Sequence, residues 1–507
     1  MVHRNYLRYL TEDALHFDRI SMGNGKGKGV EGTDGIIVSN RPECSITTIS
    51  TMQKDLVQQS NDSTMALSEC SLEMLQYLKL KSVNDLFSDI PEDVRINGLQ
   101  LPDGLPEIEL RRELEAMMSV NKPASSMPTF LGAGIYNHFI PAAVKTIMMR
   151  GEFITSYTPY QPEISQGMLQ SCFEYQSFMA ELTGMDVVNA SMYDASTGLG
   201  EAVLMAHRLS GGNKFLISRA VSPEKRLVAK TYAKGADIEL VEVGYDKGTG
   251  LVDLSDLKSK LTDEVAGFYF ETPNFFGPIE TQSQEIRQVL GTRTMVVGVN
   301  PMALALLRPP GDYGADIVVG DAQVFGSPMN LGGPTIGVFG CRSEHVRKMP
   351  GRIIGMTNDI EGRRSYCMTL QTREQHIRRS KATSNICTNE ALLAVATAAY
   401  LALVGRNGLR EIARKNIENM RSLSSRINSV KGFKAPRFDA YHFNEFIITS
   451  ESDPVKIHKA LLSRGVHGGL VLDQRFPELG HSSLYATTEM HTKQDHDKLI
   501  FALEGIR

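Results

Sequence analysis

Between residues 214 and 299 the sequence alternates short, β-rich apolar runs with stretches that are typical of helices. Predicted strands cover 214–218, 238–243, 265–271 and 294–299, and predicted helices fill the intervals between them. Neighbouring parallel strands need such crossover helices, and strands that are buried on both faces are apolar throughout. The pattern therefore predicts an α/β domain with a mostly parallel sheet that helices cover on both sides.

The segments around this alternation complete the predicted organisation. Further strands are expected at 317–319 and 335–339, and the apolar run 391–404 predicts a buried helix because it is shorter than the ~20 residues of a membrane-spanning helix. A strand at FNEFIITS and helices near 454–463 and 494–504 predict a smaller α+β domain. The predicted divisions are a flexible extension at 1–70, a helical arm at 71–155, a large α/β domain at 156–385, and a long helix with the C-terminal α+β domain at 386–507.

Composition excludes several classes of function. The chain has 54 Lys+Arg against 58 Asp+Glu, a net charge of −4, so it lacks the basic surface that nucleic-acid binding requires. Its six cysteines form no CxxC pair and its twelve histidines show no metal-ligand spacing, which argues against a zinc site or a disulfide framework. No apolar core of a secretory signal is present near the N-terminus, so we expect a cytoplasmic protein without membrane contact.

A glycine cluster near the N-terminus contains a GxGxxG match, formed by Gly27, Gly29 and Gly32. A dinucleotide-binding loop needs a strand before this motif and a helix after it, and neither is predicted here. We interpret the match as chance and the segment as a flexible extension.

Two polar segments are candidates for a site. The loop 157–167 combines two tyrosines, two glutamines, a carboxylate and two prolines, as ligand pockets and subunit contacts often do, although a purely structural loop is an equal alternative. The segment 189–197 opens a helix that Asp194 or Ser196 caps. A helix start of this kind favours anions, but any capped helix has a similar sequence.

Seven long segments also carry a family resemblance: FLGAGIYNHFIPAAV, YTPYQPEISQG, EYQSFMAELTGMDVVNASMYDASTGLGEA, ETPNFFGPIE, PPGDYGADIVVGDAQVFGSP, TLQTREQHIRRSKATSNICTNEALLA and HFNEFIITS. In this order they closely resemble subunit 1 of the glycine cleavage system P-proteins, the split form of glycine dehydrogenase (decarboxylating). The resemblance runs from about residue 75 to the C-terminus and does not include the extension.

The resemblance implies the fold type I of pyridoxal 5'-phosphate (PLP)-dependent transferases, with a smaller C-terminal α+β domain. It also implies a reaction in which glycine loses its carboxylate as CO2 while the aminomethyl group passes to the lipoyl arm of the H-protein. In such enzymes PLP acts as the electron sink and is held by a lysine. Here Gln323 lies at or within one residue of the lysine position, and a glutamine cannot bond covalently to the cofactor. The run 294–299 contains no carboxylate for the cofactor's ring nitrogen, and only Asn300 is polar at its end.

The resemblance therefore implies that PLP is held by a partner, subunit 2, in a complex of two copies of each subunit. Active sites of such dimers are built at the interface, and this chain would complete the site without supplying a catalytic residue. The residues expected to line the interface or the rim of the site are Tyr136, Asn137, His138, Tyr157, Tyr160, Glu163 and Asp194.

Two rival hypotheses come from other classes. A self-sufficient PLP enzyme would need Lys214 or Lys230 as its lysine, although both lie early in the alternating strands and helices. A degenerate paralogue would act only as a scaffold or regulatory partner. Glycine decarboxylation with and without a subunit 2 distinguishes these hypotheses from the heteromeric enzyme.

Overall fold

The computed structural model describes residues 69–506, except for 97, 99, 387 and 388. The glycine cluster and nearly all of the predicted extension lie outside the described residues. Contacts divide the chain into two compact units, with a boundary between Asn121 and Lys122. The other domain boundaries drawn from the sequence stay predictions.

The unit before this boundary is small and contains two described α-helices, α1 (Glu69–Tyr77) and α2 (Glu107–Met118). No side chain of α2 is buried, and apolar side chains such as Leu101 and Val120 are exposed. The sequence predicted helices in this segment, and these two elements agree with that expectation.

A seven-stranded sheet forms the centre of the larger unit. Its strands are β1 (Val187–Val188), β2 (Lys214–Ser218), β3 (Glu239–Val243), β4 (Val265–Thr272), β5 (Thr294–Val299), β6 (Ile317–Asp321) and β7 (Gly337–Cys341). The strand order is β1-β7-β6-β5-β4-β2-β3. Strands β2 to β6 are parallel, whereas β7 runs antiparallel to both β6 and β1. The predicted mostly parallel sheet is therefore confirmed.

Helices cover both faces of this sheet. In chain order up to residue 290, the described helices of this unit are α3 (Ala142–Met148), α4 (Gly151–Ile154), α5 (Gln166–Thr183), α6 (Ala195–Ser210), α7 (Pro223–Lys234), α8 (Leu254–Lys260) and α9 (Ser283–Leu290). One core cluster joins the sheet to α6 and α7, and the other joins its opposite face to α5, α8 and α9. Local signals explain the ends of these helices, because Asp194 caps α6, Ser222 caps α7, and Gly184 ends α5 with a φ of 68°.

A short helix α10 (Gln375–Arg378) precedes the long helix α11 (Ala391–Ile427), which contains the predicted apolar run. Within the described part of the chain, α11 is the helix whose length and composition would suffice to cross a membrane. Half of its most apolar window is buried inside the chain, and the helix packs against α5 and α3. This packing is typical of the core helix that the sequence predicted.

Two smaller sheets complete the unit. The hairpin of β8 (Ile353–Asn358) and β9 (Arg364–Thr369) packs on α5 and was not predicted. The C-terminal sheet has the order β10-β11-β13-β12, formed by β10 (Phe433–Lys434), β11 (Glu445–Ser450), β12 (Leu470–Val471) and β13 (Ser482–Ala486). Helices α12 (Pro454–Ser463) and α13 (Lys493–Glu504) pack on it and confirm the smaller α+β domain.

Candidate functional site

A cavity of about 350 Å³ opens at the carboxyl ends of the central strands. Its lining includes Glu271 from β4, Asn300 after β5 and Asp321 from β6, together with the first residues of α6 and α7. Open α/β sheets bind their ligands at this edge, because side chains from several strands and helix N-termini converge there. The cavity is therefore the place to test whether this chain has an active site of its own.

The glutamine at the expected lysine position lies two residues beyond the end of β6. Gln323 is 1% exposed, and its side chain is fully engaged inside the chain. Its Oε1 accepts the backbone N–H of Tyr136 at 3.1 Å, while its Nε2 donates to the carbonyls of Tyr136 at 3.0 Å and Ser327 at 2.8 Å. Gln323 thus serves as a structural contact between β6 and the segment around Tyr136.

Among the described residues, the lysine that lines the cavity is Lys225, at the start of α7, and sequence reasoning missed it. Lys214 begins β2, at the opposite edge of the sheet, where it pairs with Glu264 at 2.7 Å. Lys230 is exposed on α7. Neither of the lysines that the self-sufficient hypothesis named is therefore available at the cavity.

Lys225 is held by an ion pair. Its Nζ donates to Glu271 Oε1 at 2.7 Å, and the hydroxyl of Tyr269 donates to the same oxygen at 2.8 Å. Gly298 on the neighbouring strand makes room, since a Cβ there would lie 2.2 Å from that hydroxyl. Burial lowers the pKa of Lys225, but the attraction of Glu271 outweighs burial and leaves the pKa raised. The amine is therefore kept as an ammonium ion, which is a poor nucleophile.

Carboxylates dominate the rest of the cavity. The lining carries five acidic side chains and two basic ones: Asp194, Glu224, Glu271, Asp321 and Glu445 against Lys225 and Arg475. Arg475 pairs with Glu224 at 3.3 Å. Burial raises the pKa of Asp321 to about 6 and that of Glu445 to about 7, so both ionise less readily than in water.

These residues do not fit PLP. Two of the first three N–H groups of α6 already donate to carboxylates, because Asp194 accepts from Thr197 at 2.7 Å and Asp321 accepts from Ala195 at 3.4 Å. A phosphate at this helix start would therefore meet negative charge beside the donors. Since a glutamine, Gln323, also stands at the expected lysine position, neither the helix start nor that position offers the anchor that the cofactor needs.

The predicted rim loop lies outside the cavity lining. Tyr157 is 72% exposed, Tyr160 is 45% exposed, and Glu163 is also on the surface. Arg352, which is buried and was missed from the sequence, supports the loop by donating to the hydroxyls of Thr158 at 3.2 Å and Tyr160 at 2.9 Å. The loop therefore presents polar and aromatic groups at the surface from a fixed base.

Two of the predicted rim residues have internal side chains. Tyr136 donates its hydroxyl to Glu445 at 2.8 Å, and His138 Nδ1 lies 2.8 Å from Glu489. Both residues are 6% exposed, so their side chains hold the fold together, and Tyr136 also lines the cavity. Asn137 between them is half-buried, and its carbonyl accepts from Thr488 at 2.7 Å.

Of the remaining calls, Asp194 does line the cavity, as the cap of α6. Groups of His, Cys, Asp or Glu that could hold a metal ion are absent from the part of the chain that the structure describes. Nothing at the cavity therefore suggests metal ligation among those residues.

Comparison with known proteins agrees with the fold. Residues 66–503 match the family model "Glycine cleavage system P-protein". The chain is 49% identical over 440 residues to the probable glycine dehydrogenase (decarboxylating) subunit 1 of Pyrococcus furiosus, covering 86% of this chain and 97% of that protein. A protein of the same name from Geobacillus sp. is 46% identical over 432 residues, which cover 84% of this chain and 95% of that one.

Solved structures show the same architecture. The crystal structure of an inhibitor-bound glycine decarboxylase (P-protein) of the glycine cleavage system superposes with a TM-score of 0.81 at 39% identity, covering 87% of this chain and 99% of that one. Sphingosine-1-phosphate lyase of Burkholderia pseudomallei superposes with a TM-score of 0.57 at 14% identity, covering 82% and 94% of the two chains. This second likeness concerns the fold alone. The predicted fold type I of PLP-dependent enzymes is confirmed.

Proposed function

The chain belongs to the glycine cleavage system P-protein family, and we propose that it completes and gates an active site whose PLP is held by a second subunit. It is a subunit of glycine dehydrogenase (decarboxylating). In the proposed complex, two copies of this chain and two copies of subunit 2 decarboxylate glycine. The aminomethyl group then passes to the lipoyl arm of the H-protein. PLP supplies the electron sink for the loss of CO2.

One observation carries the assignment of PLP to the partner. At the carboxyl ends of the strands, Gln323 stands at the expected lysine position and is satisfied by backbone contacts, while Lys225 is neutralised by Glu271. A scaffold that matches a PLP enzyme over most of its length therefore has the groups that would anchor a cofactor engaged by its own side chains. Such a chain contributes to catalysis through what it presents to a partner.

The exposed side chains of residues 139–164 support an interface. Seven large apolar side chains are exposed within the 26 residues from 139 to 164: Phe139, Ile147, Met149, Ile154, Tyr157, Tyr160 and Ile164. Many exposed apolar groups in one segment indicate a contact surface, because their burial against a partner is favourable in free energy. The rim loop that Arg352 supports lies within this surface.

The test is glycine–bicarbonate exchange with lipoylated H-protein, measured for each subunit alone and for both together. We expect full exchange only with both subunits present, and a PLP absorbance band only in subunit 2. Exchange by this chain alone would contradict the proposal and favour a self-sufficient enzyme. Exchange by subunit 2 alone at the full rate would favour a scaffold or regulatory paralogue.

A further inference from the structure

The segment 132–139, which we call the anchored loop, has a backbone that its own sequence does not favour. Ala133 adopts a left-handed φ of 64° and Gly134 a φ of 108°. A left-handed alanine is strained, so the surrounding structure must hold it. Gly132 is equally constrained, since a Cβ there would lie 2.5 Å from Glu445. The loop therefore owes its conformation to contacts from other elements.

Gln323 supplies the central contact. Its amide forms a reciprocal pair of hydrogen bonds with the N–H and carbonyl of Tyr136, as a neighbouring strand would, and its second N–H donates to Ser327. Only a side chain with an acceptor and two donors at this distance makes all three bonds. A lysine has no acceptor for the Tyr136 N–H, and a glutamate has no donor for the two carbonyls.

Two carboxylates fix the loop on either side of this contact. Glu445 at the start of β11 accepts from the N–H of Ala133 at 2.6 Å and from the hydroxyl of Tyr136 at 2.8 Å. Glu489 after β13 accepts from the N–H of Phe139 at 2.8 Å and lies at 2.8 Å from His138. Side chains from β11, from the end of β13 and from the end of β6 therefore hold the loop at three points.

We propose that Gln323 is a positioning residue of the heteromeric enzyme. At the place where the family resemblance puts a lysine, the glutamine fixes the anchored loop, and the loop in turn presents Phe139 to the partner's active site. The side chain of Phe139 is 60% exposed, while its N–H is fixed by Glu489. It is the first of the exposed apolar side chains of residues 139–164. This inference rests on the proposed function, because it requires an active site at the subunit interface.

The experiment is steady-state glycine–bicarbonate exchange by the reconstituted pair with H-protein. The test variant is Gln323→Met, which keeps the length of the side chain and removes its amide. The matched control is Gln176→Met, because Gln176 on α5 makes the same reciprocal pair with the backbone of Ile354, at 2.9 and 3.0 Å, away from the anchored loop. Thermal midpoints and assembly with subunit 2 are measured for both variants.

We expect Gln323→Met to lower kcat at least tenfold with KM for glycine within twofold, because misplacing a positioning group by about 1 Å costs up to ~100-fold in rate. Gln176→Met should lower the thermal midpoint by a similar amount and leave kcat within twofold of wild type. Equal losses of kcat in the two variants, or no loss in Gln323→Met, would overturn the proposal.

Phe139→Ala keeps the test decisive if Gln323→Met does not fold. This truncation removes an exposed side chain, so the chain folds, and kcat should again fall at least tenfold with KM within twofold. If kcat of Phe139→Ala stays within twofold of wild type, the loop does not act on the partner's site. Failure of the proposed function is seen separately, as a wild-type pair whose exchange does not depend on this chain.

Discussion

The ion pair between Lys225 and Glu271 gives a quantitative test of how strongly the charged groups of the cavity are coupled. Lys225 keeps 22% of its side-chain exposure and Glu271 keeps 6%, and their polar atoms are 2.7 Å apart. Removing one member of a buried pair costs about 3–5 kcal/mol, because the other charge stays desolvated without compensation. Since Lys225 retains some contact with water, we expect Glu271→Gln and Lys225→Met each to cost about 3 kcal/mol.

The double variant should behave very differently from the two single ones. Replacing both members of a buried pair by neutral groups removes the desolvation cost together with the attraction. We therefore expect Lys225→Met/Glu271→Gln to lie within about 1 kcal/mol of wild type, far from the sum of the single effects.

A surface pair of equal length provides the control. Lys214 and Glu264 are also 2.7 Å apart, but Glu264 is 57% exposed. Exposed pairs contribute about 0–1 kcal/mol because water screens them, so Glu264→Gln should cost less than about 1 kcal/mol. The two pairs differ in burial and not in distance, which isolates the effect of the cavity.

Urea unfolding of the purified chain, followed by far-ultraviolet circular dichroism, measures these free energies of unfolding, provided that the m-value is the same in every variant. The reasoning is refuted if Glu271→Gln costs no more than Glu264→Gln. It is also refuted if the double variant is as unstable as the sum of the single ones, because the two charges would then not depend on each other.

Four further predictions concern the rim, the cofactor position, the pH dependence and the extension. Tyr160→Ala or Glu163→Ala should lower exchange by the reconstituted pair at least tenfold and leave the thermal midpoint of this subunit nearly unchanged; unaltered exchange would contradict their place on the rim. Gln323→Lys should create neither a PLP absorbance band nor exchange by the single chain, because the helix start is still acidic and β5 still supplies no carboxylate for the cofactor's ring nitrogen. A stable band on adding PLP would refute this. Burial raises the pKa of Glu445 from 4.5 to about 7, so the folded chain binds this proton more tightly than the unfolded chain. The resulting stability, about 3 kcal/mol, is present below about pH 4.5 and is lost as the pH rises through 7. Urea unfolding at several pH values should show this loss for wild type and not for Glu445→Gln, and the same pH dependence in both would refute the reasoning. Deleting residues 1–65 should leave the thermal midpoint and complex formation nearly unchanged, and loss of soluble protein would count against it.

Much of the fold was predictable because its signals are local. The cap at Asp194, the Ser222-Pro223 start of α7 and the glycine that ends α5 each act within a few residues of the helix end that they define. The central strands were recognisable from continuous apolar runs, since a parallel sheet is buried on both faces. The hairpin of β8 and β9 was missed because its strands, IIGMTN and RSYCMT, contain no apolar run longer than three residues.

The site was less predictable, because its contacts join residues that are far apart in the sequence. Lys225 and Glu271 are separated by 46 positions, and Tyr136 and Glu445 by 309. Nothing near Lys225 in the sequence marks it as a cavity residue. Tyr136 was expected at the interface or the rim of the site, but its hydroxyl is turned inward to Glu445, a carboxylate that a single sequence does not pair with it.

The contacts around the cavity also explain why restoring one residue is not enough to restore a cofactor site. The amide of Gln323 is tied to the anchored loop, the amine of Lys225 is neutralised by Glu271, and the start of α6 is capped by Asp194. Each of these contacts satisfies a group that a cofactor would otherwise engage, and each comes from a different element. A chain whose cavity groups are engaged in this way, and whose apolar side chains from Phe139 onward are exposed, is suited to shape a site that another subunit carries. The same glutamine stands at the expected lysine position and fixes the anchored loop, so one residue accounts for both features.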